Sequence, residues 1–345
     1  MAHLKQYFEL QGLSTNQVFV WIDIFCVNLH RDTPTGSADL VLTNELIASS
    51  RKVLLFLDSE GVAFSRTWVL YEAWQASLSE RHDKLVVVPT SWAWQDLVFP
   101  YIAMDIASSH AWQDVDRLLM LREFQKAVET SSVAKIKEAM LLGTKRELQR
   151  TDVTVTGGQP LRMVYTGTAY GLLLFLKGRY TEAEEVLSGL QHKMEKFGGL
   201  NNGDDTEMLF HLALIAREKG SRNKSEAYLL ACIRDSRSEG VREDLYLEAM
   251  LMYAQCLYDN EQYTKGELLC RKLLEMTDQY SDMLTEKARL KFRARGRVQL
   301  SALSLGQKLV KEVEERAEET LRDVRHNKEA STELLAASCY KILSE

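Results

Sequence analysis

The second half of the chain repeats a short pattern at a nearly constant interval, and this spacing restricts the fold more than any other feature. Each copy opens an amphipathic stretch after a turn and carries a small residue a few positions later. These small residues, Ala183, Ala227 and Gly266, lie 44 and 39 positions apart. Such intervals are typical of helical-hairpin solenoids, where a small side chain lets two helices approach closely. The sequence therefore predicts an all-α solenoid of about four hairpins plus a terminal helix over residues 161–345.

Residues 1–150 follow a different pattern, in which short apolar runs alternate with helical stretches. Two helices are predicted, over Asp39 to Ser49 and Thr67 to Ser79. Unbroken apolar runs of β-branched and aromatic residues are expected of strands buried on both faces. There are three such runs, Gln17 to Ile24, Lys52 to Leu57 and Lys84 to Val88. This alternation predicts an α/β domain with a parallel sheet.

A break in composition separates the two halves. All six tryptophans and all four prolines lie at or before Pro160, whereas ten of the thirteen tyrosines follow it. Thr151 to Pro160, rich in threonine and glycine, is the predicted linker. The net charge of −6 is spread over both halves, with 15 basic and 18 acidic side chains in residues 1–150. Neither half has the basic excess of a nucleic-acid-binding protein.

The cysteines indicate a reducing compartment, and the hydropathy indicates no membrane span. The five cysteines have no metal-ligand spacing, and their odd number does not suit a disulfide framework. They are Cys26, Cys232, Cys256, Cys270 and Cys339, all predicted to be core thiols without a metal. No run approaches the roughly 18 apolar residues of a membrane span. We expect a cytoplasmic protein that binds no membrane.

The helical half resembles tetratricopeptide (TPR) repeats. Gly178, Tyr180 and Ala183 match their G-x-Y-x-x-A turn, and the longer period resembles the kinesin light chain type. The turn is specific in the first and third repeats, while the second and fourth rest on periodicity. The resemblance implies that this half binds other proteins.

The α/β half resembles TIR-like domains. The segment from Trp21 to His30 is similar to the W-I-D-x-x-C-x-N-Q signature shared by heterokaryon-incompatibility proteins and TIR-like proteins, with Leu29 in place of Gln. The segment from Ser65 to Ala73 is similar to the TIR S-x-W-C-L-x-E-L helix, with Val69 in place of Cys. This resemblance implies a flavodoxin-like parallel sheet.

The family places another strand before the tryptophan strand, and this chain has no convincing strand in Met1 to Gly12. We therefore expect an incomplete TIR-like sheet. The chain also ends on Ser331 to Glu345, an apolar helix without a capping unit. Both ends are expected to be truncated.

The TIR resemblance names the candidate site residues. In TIR domains that cleave NAD, the glutamate of the S-x-W-C-L-x-E-L helix is catalytic, and it falls on Glu72 here. Asp23, Asn28 and His30 follow or end the first predicted strand and are candidates for nucleotide binding. A purely structural role for these residues is also open. In that case Glu72 is a solvated carboxylate, and Asp23 fixes the loop of Asn28.

Three hypotheses for function follow. In the first, the chain is a signalling scaffold without a cofactor, whose TPR-like half binds a partner segment and whose TIR-like half associates with its own kind. In the second, it is an NAD glycohydrolase that uses Glu72, with NAD as substrate only. In the third, the α/β half merely caps the solenoid.

A basic run lies in the fourth predicted hairpin. Lysines and arginines alternate from Lys287 to Arg297, which would suit an acidic partner or RNA. Because acidic residues follow from Glu312 to Glu319, pairing within the chain is the favoured interpretation.

Overall fold

The computed structural model describes residues 4–5, 7–8, 18–20, 36–57, 62–79, 84–89, 95–111, 114–126, 132–153, 160–196, 202–235, 243–280 and 282–306. Most of these residues are helical. The chain divides into two compact units, Met1–Arg179 and Tyr180–Glu345.

The first unit combines a short parallel sheet with helices. Its strands are β1 (Val53–Leu57) and β2 (Leu85–Pro89). Its helices are α1 (Gly36–Ser49), α2 (Val62–Ser65), α3 (Thr67–Ser77), α4 (Gln95–Ala103), α5 (Asp114–Lys126), α6 (Ser132–Val153) and α7 (Pro160–Leu176). The α/β prediction is confirmed for this two-stranded sheet and the two predicted helices, α1 and α3. A complete TIR-like flavodoxin fold stays a prediction.

The two strands pair in parallel, with Val53 opposite Leu85 and Leu57 opposite Pro89. Side chains alternate between the two faces of a strand. Buried Tyr7 and Phe8 pack on one face, against Val88 and its half-buried neighbours. Helices α3 and α6 contact the sheet as well.

The predicted strand over Gln17 to Ile24 is wrong where the structure describes it. Val18, Phe19 and Val20 belong to no strand, and the Phe19 side chain is fully exposed. Of these three, Val18 packs against the apolar cluster of Tyr7 and Phe8. Apolar β-branched residues favour an extended backbone, but a strand also requires a hydrogen-bonding neighbour, which local sequence does not encode.

Both ends of the predicted linker are helical. Helix α6 continues to Val153, and α7 begins at Pro160, where the fixed φ of proline suits the first position of a helix. The rest of the linker, 154–159, lies outside the described residues. Helix α7, predicted as the first helix of the array, packs against α6 within the first unit.

The second unit consists of helices in every described part. They are α8 (Tyr180–Lys196), α9 (Asn202–Glu218), α10 (Arg222–Asp235), α11 (Glu243–Asp259), α12 (Tyr263–Gln279) and α13 (Glu286–Gly306). Consecutive helices pack against each other. One apolar cluster joins α9, α10 and α11, and a second joins α11, α12 and α13. This is the stacking of helical hairpins along an array. The second helix of the predicted fourth hairpin and the terminal helix lie outside the described residues.

Candidate interaction site

Glu72 lies in the middle of α3, half-buried between Tyr71 and Ala73, which are both buried. Tyr71 donates a hydrogen bond to Asn44 Oδ1 at 3.1 Å, and its ring packs edge-on against Trp74. The hydrogen bond to Asn44 joins α3 to α1. The catalytic role of Glu72 stays a prediction.

The other residues predicted for the nucleotide site, Asp23, Asn28 and His30, lie outside the described residues. Across the part of the chain that the structure describes, no group of three or more His, Cys, Asp or Glu side chains could hold a metal ion.

The hairpins share one turn geometry. Among the described residues, positive φ occurs at three positions, Gly178 (74°), Gly220 (72°) and Glu261 (59°). In each turn, the next residue donates its N–H to the carbonyl five positions earlier, at 2.8 to 2.9 Å in all three. This is the left-handed C-terminal cap that glycine favours. The hairpin at Gly220 is therefore a full repeat, although its sequence was predicted to lack the turn.

The turns correct the predicted spacing. Gly178, Gly220 and Glu261 lie 42 and 41 residues apart, rather than 44 and 39. In the same register, the small residue five positions after the turn is Ala183, Ser225 or Gly266, and all three are buried. The predicted Ala227 is instead exposed. Ser225 Oγ donates to the Ala213 carbonyl at 2.9 Å, which satisfies the hydroxyl inside the core.

Gly266 shows why this position is small. A Cβ added there would lie 2.6 Å from Leu303 Cδ2 and 3.5 Å from Leu257 Cβ. The predicted close approach of two helices is thus confirmed at this residue.

A glutamate follows the small residue in every repeat: Glu184, Glu226 and Glu267. Glu184 pairs with Lys219 and, at 3.4 Å, with Lys224. The hydrogen bond from Lys219 is the main cause that lowers the pKa of this carboxyl. Glu226 accepts a hydrogen bond from Tyr253 Oη at 3.3 Å, so Glu184 and Glu226 each connect one hairpin to the next.

The first helix of each hairpin carries a stripe of side chains at one face. On α9 this stripe is partly exposed and consists of Glu207, Phe210, Leu214 and Arg217, whose spacings of three and four residues place them together. Equivalent positions are those at the same distance from the first residue of each helix, which is Asn202 on α9, Glu243 on α11 and Glu286 on α13. They are Glu248, Leu251, Gln255 and Tyr258 on α11, and Lys291, Ala294, Val298 and Ser301 on α13. Two of these equivalents, Leu251 and Ser301, are buried. We call the whole set the first-helix stripe.

Phe210 and Leu214 form the apolar centre of the stripe on α9. Both are half-buried and pack against the cluster that contains Leu209 and Ala213. Each therefore keeps an exposed surface on a rigid base. The charged Glu207 and the exposed Arg217 lie at the two ends of this apolar centre.

Part of the basic run on α13 pairs within the chain, as predicted, but with earlier helices. Arg295 and Lys291 contact Glu248 on α11, and Arg293 Nε lies 3.4 Å from Asp278 on α12. The predicted acidic run, Glu312 to Glu319, lies outside the described residues.

The core thiols are confirmed for Cys232, Cys256 and Cys270, which are free and buried. Burial raises the pKa of the Cys270 thiol to about 12. A thiol with so high a pKa is not a nucleophile at neutral pH. Cys26 and Cys339 lie outside the described residues.

The stripe and the second turn were not predicted, because the repeats were aligned on the small residues Ala183 and Ala227. Alignment on the residue five positions before the small side chain would have placed Gly220 beside Gly178. The third turn was predicted, although a glutamate, Glu261, holds the position that glycine normally takes.

Among the described helices, none is both long and apolar enough to span a membrane. The chain matches no protein-family model and no curated protein.

Two solved structures resemble part of this chain. BtubC (BKLC) from P. vanneervenii has a TM-score of 0.49 at 14% identity, over 60% of this chain and 84% of that chain. The nearly identical TPR-like repeats of a putative kinesin light chain from Podosopora anserina, in a Q17M form, have a TM-score of 0.45 at 13% identity. That match covers 59% of this chain and 90% of the other.

Proposed function

We propose that the chain is a scaffold whose first-helix stripe binds a segment of a partner protein. The observation that supports this is the half-buried pair Phe210 and Leu214, held on the apolar core of their hairpin and bordered by charged residues. Binding surfaces of this kind combine a rigid apolar centre with a polar rim.

Selection from a displayed library of random 12-residue peptides tests this proposal. The parent chain should enrich peptides that bind in solution. Replacing both Phe210 and Leu214 by Ser should weaken binding at least tenfold in fluorescence anisotropy, since each anchor contributes about 1 kcal/mol or more. Leu268→Ser is the control, because Leu268 is 71% exposed and lies on a second helix, α12. A selected peptide that binds the double variant and the parent equally would contradict the proposal.

The scaffold proposal includes self-association of the α/β unit. Val41 and Leu42 on α1 support it, since they are adjacent apolar side chains that are 58% and 53% exposed. Sedimentation velocity of the full chain over a range of concentrations should show an oligomer, and the variant with Val41→Asp and Leu42→Asp should be a monomer. A parent chain that stays monomeric at every concentration would refute this part.

NAD hydrolysis at Glu72 stays the alternative hypothesis. It rests on the resemblance of the segment from Ser65 to Ala73 to a TIR helix. Nicotinamide release from NAD by the parent, lost in Glu72→Ala, would support an enzyme. Equal release by both chains, or none by either, would leave the scaffold as the better hypothesis.

A further inference from the structure

Helix α13 is joined to α11 by a cluster of charged side chains. Arg295 Nη1 lies 2.6 and 2.7 Å from the two carboxylate oxygens of Glu248, and Lys291 Nζ lies 3.1 Å from Oε1. One carboxylate on α11 therefore holds two cations one turn apart on α13.

The equivalent positions between α9 and α11 have different chemistry. Glu248 and Met252 stand on α11 where Lys291 and Arg295 stand on α13. Met252 is buried in the apolar cluster that joins α9, α10 and α11. At these positions the first junction has an apolar side chain in its core, whereas the next one has an ion-pair cluster.

The surface by which α13 packs combines buried apolar side chains, such as Phe292 and Leu303, with buried polar atoms. Arg289 Nε and Gln299 Nε2 are buried and have no hydrogen-bond partner among the described residues. Gln299 occupies the position of buried Cys256 on α11. Buried polar atoms without partners weaken packing, so they raise the importance of the charged contact for holding α13 in place.

From these contacts we infer that Glu248, Lys291 and Arg295 form an ionic latch that keeps α13 closed against α11 and releases it at high ionic strength. The side chains are 24%, 51% and 34% exposed, so salt ions reach them. Partly exposed ion pairs contribute little free energy and are screened by salt, which makes the contact reversible. The latch requires no partner protein.

Hydrogen exchange of the full chain, read by mass spectrometry, tests the latch. In Glu248→Gln, amides of α13 should exchange about three- to fivefold faster than in the parent, while those of α9 keep their rates. The parent in 1 M NaCl should show the same acceleration in α13, and salt should add nothing further to Glu248→Gln. The experiment in salt needs no substitution, so it tests the latch even if Glu248→Gln folds poorly.

Arg271→Gln is the matched control, since it removes an ion pair, with Glu267, that lies within the single helix α12. Unchanged α13 exchange in Glu248→Gln and in salt would overturn the latch, as would an equal effect of Arg271→Gln. Either result would leave the peptide-binding proposal intact, because that proposal is read from Phe210 and Leu214.

Discussion

The two units differ in how far along the chain their contacts reach. In the second unit each helix packs on its sequence neighbours, so the interval from one turn to the next, as from Gly178 to Gly220, contains a complete structural repeat. In the first unit β1 pairs with β2, with α2 and α3 between them in sequence. The sequence pattern therefore repeats where each helix contacts its neighbours along the chain. A sheet depends instead on pairing between distant segments, which the sequence of one strand does not specify.

Leu57→Ala should have the largest effect, confined to the first unit. Leu57 on β1 is fully buried, and truncation of such a side chain costs about 3 kcal/mol. All six tryptophans lie between Trp21 and Trp112, so tryptophan fluorescence follows the unfolding of this unit. Its urea midpoint should fall while the helical circular dichroism of the second unit persists. Loss of both signals at the same urea concentration would contradict the independent unfolding of the two units. Val62→Ala, at an exposed position, is the control.

Gly266→Val should have the next largest effect, in the second unit. The added side chain would collide with Leu303, and overpacking of this kind costs about 2 kcal/mol. Gly189 on α8 has no atom within 4 Å of an added Cβ, so Gly189→Ala should instead stabilise by up to about 1 kcal/mol. Thermal unfolding followed by circular dichroism would show the opposite signs. A neutral Gly266→Val would mean that the helices can separate there.

Glu261→Gly should stabilise the chain by about 1 kcal/mol, because glycine removes the strain of a positive φ. Gly220→Ala should destabilise it by a similar amount for the same reason, although an added Cβ meets no atom. Urea unfolding measures both. Equal stability of Glu261→Gly and the parent would contradict the equivalence of the turns.

The smallest effect is expected from pH acting on Glu184. The pKa of this carboxyl is lowered in the folded protein, chiefly by the hydrogen bond from Lys219. The carboxylate therefore stabilises the fold at pH values above its ordinary pKa of 4.5. That contribution is lost as the pH falls through the folded pKa. Glu184→Gln should therefore be less stable than the parent at pH 7, by less than about 1 kcal/mol, and this difference should shrink as the pH falls below 4.5. Exposed Glu185→Gln is the control, and a difference that does not change as the pH falls would contradict the ion-pair explanation.

Sequence patterns predicted the helical half best. Gly178 and Tyr180 carry the turn and small Ala183 follows, so one repeat was visible from local residues. The exact register of the repeats could be read only from the φ angles. Glu261 takes the glycine position, and exposed Ala227 was aligned with Ala183 in place of buried Ser225.

In the α/β half, β1 and β2 were predicted to within one residue, since buried parallel strands are apolar throughout. Val18 to Val20 show the same apolar character without forming a strand. The candidate stripe was not visible in advance, because half-burial of Phe210 and Leu214 depends on which neighbouring helices cover them.

A hydrogen-exchange footprint of a selected peptide would show whether the first-helix stripe is the binding surface. At saturating peptide, we expect slower exchange over residues 207–217 of α9 and 248–258 of α11. Slower exchange confined to α12, or to the first unit, would contradict binding at the stripe.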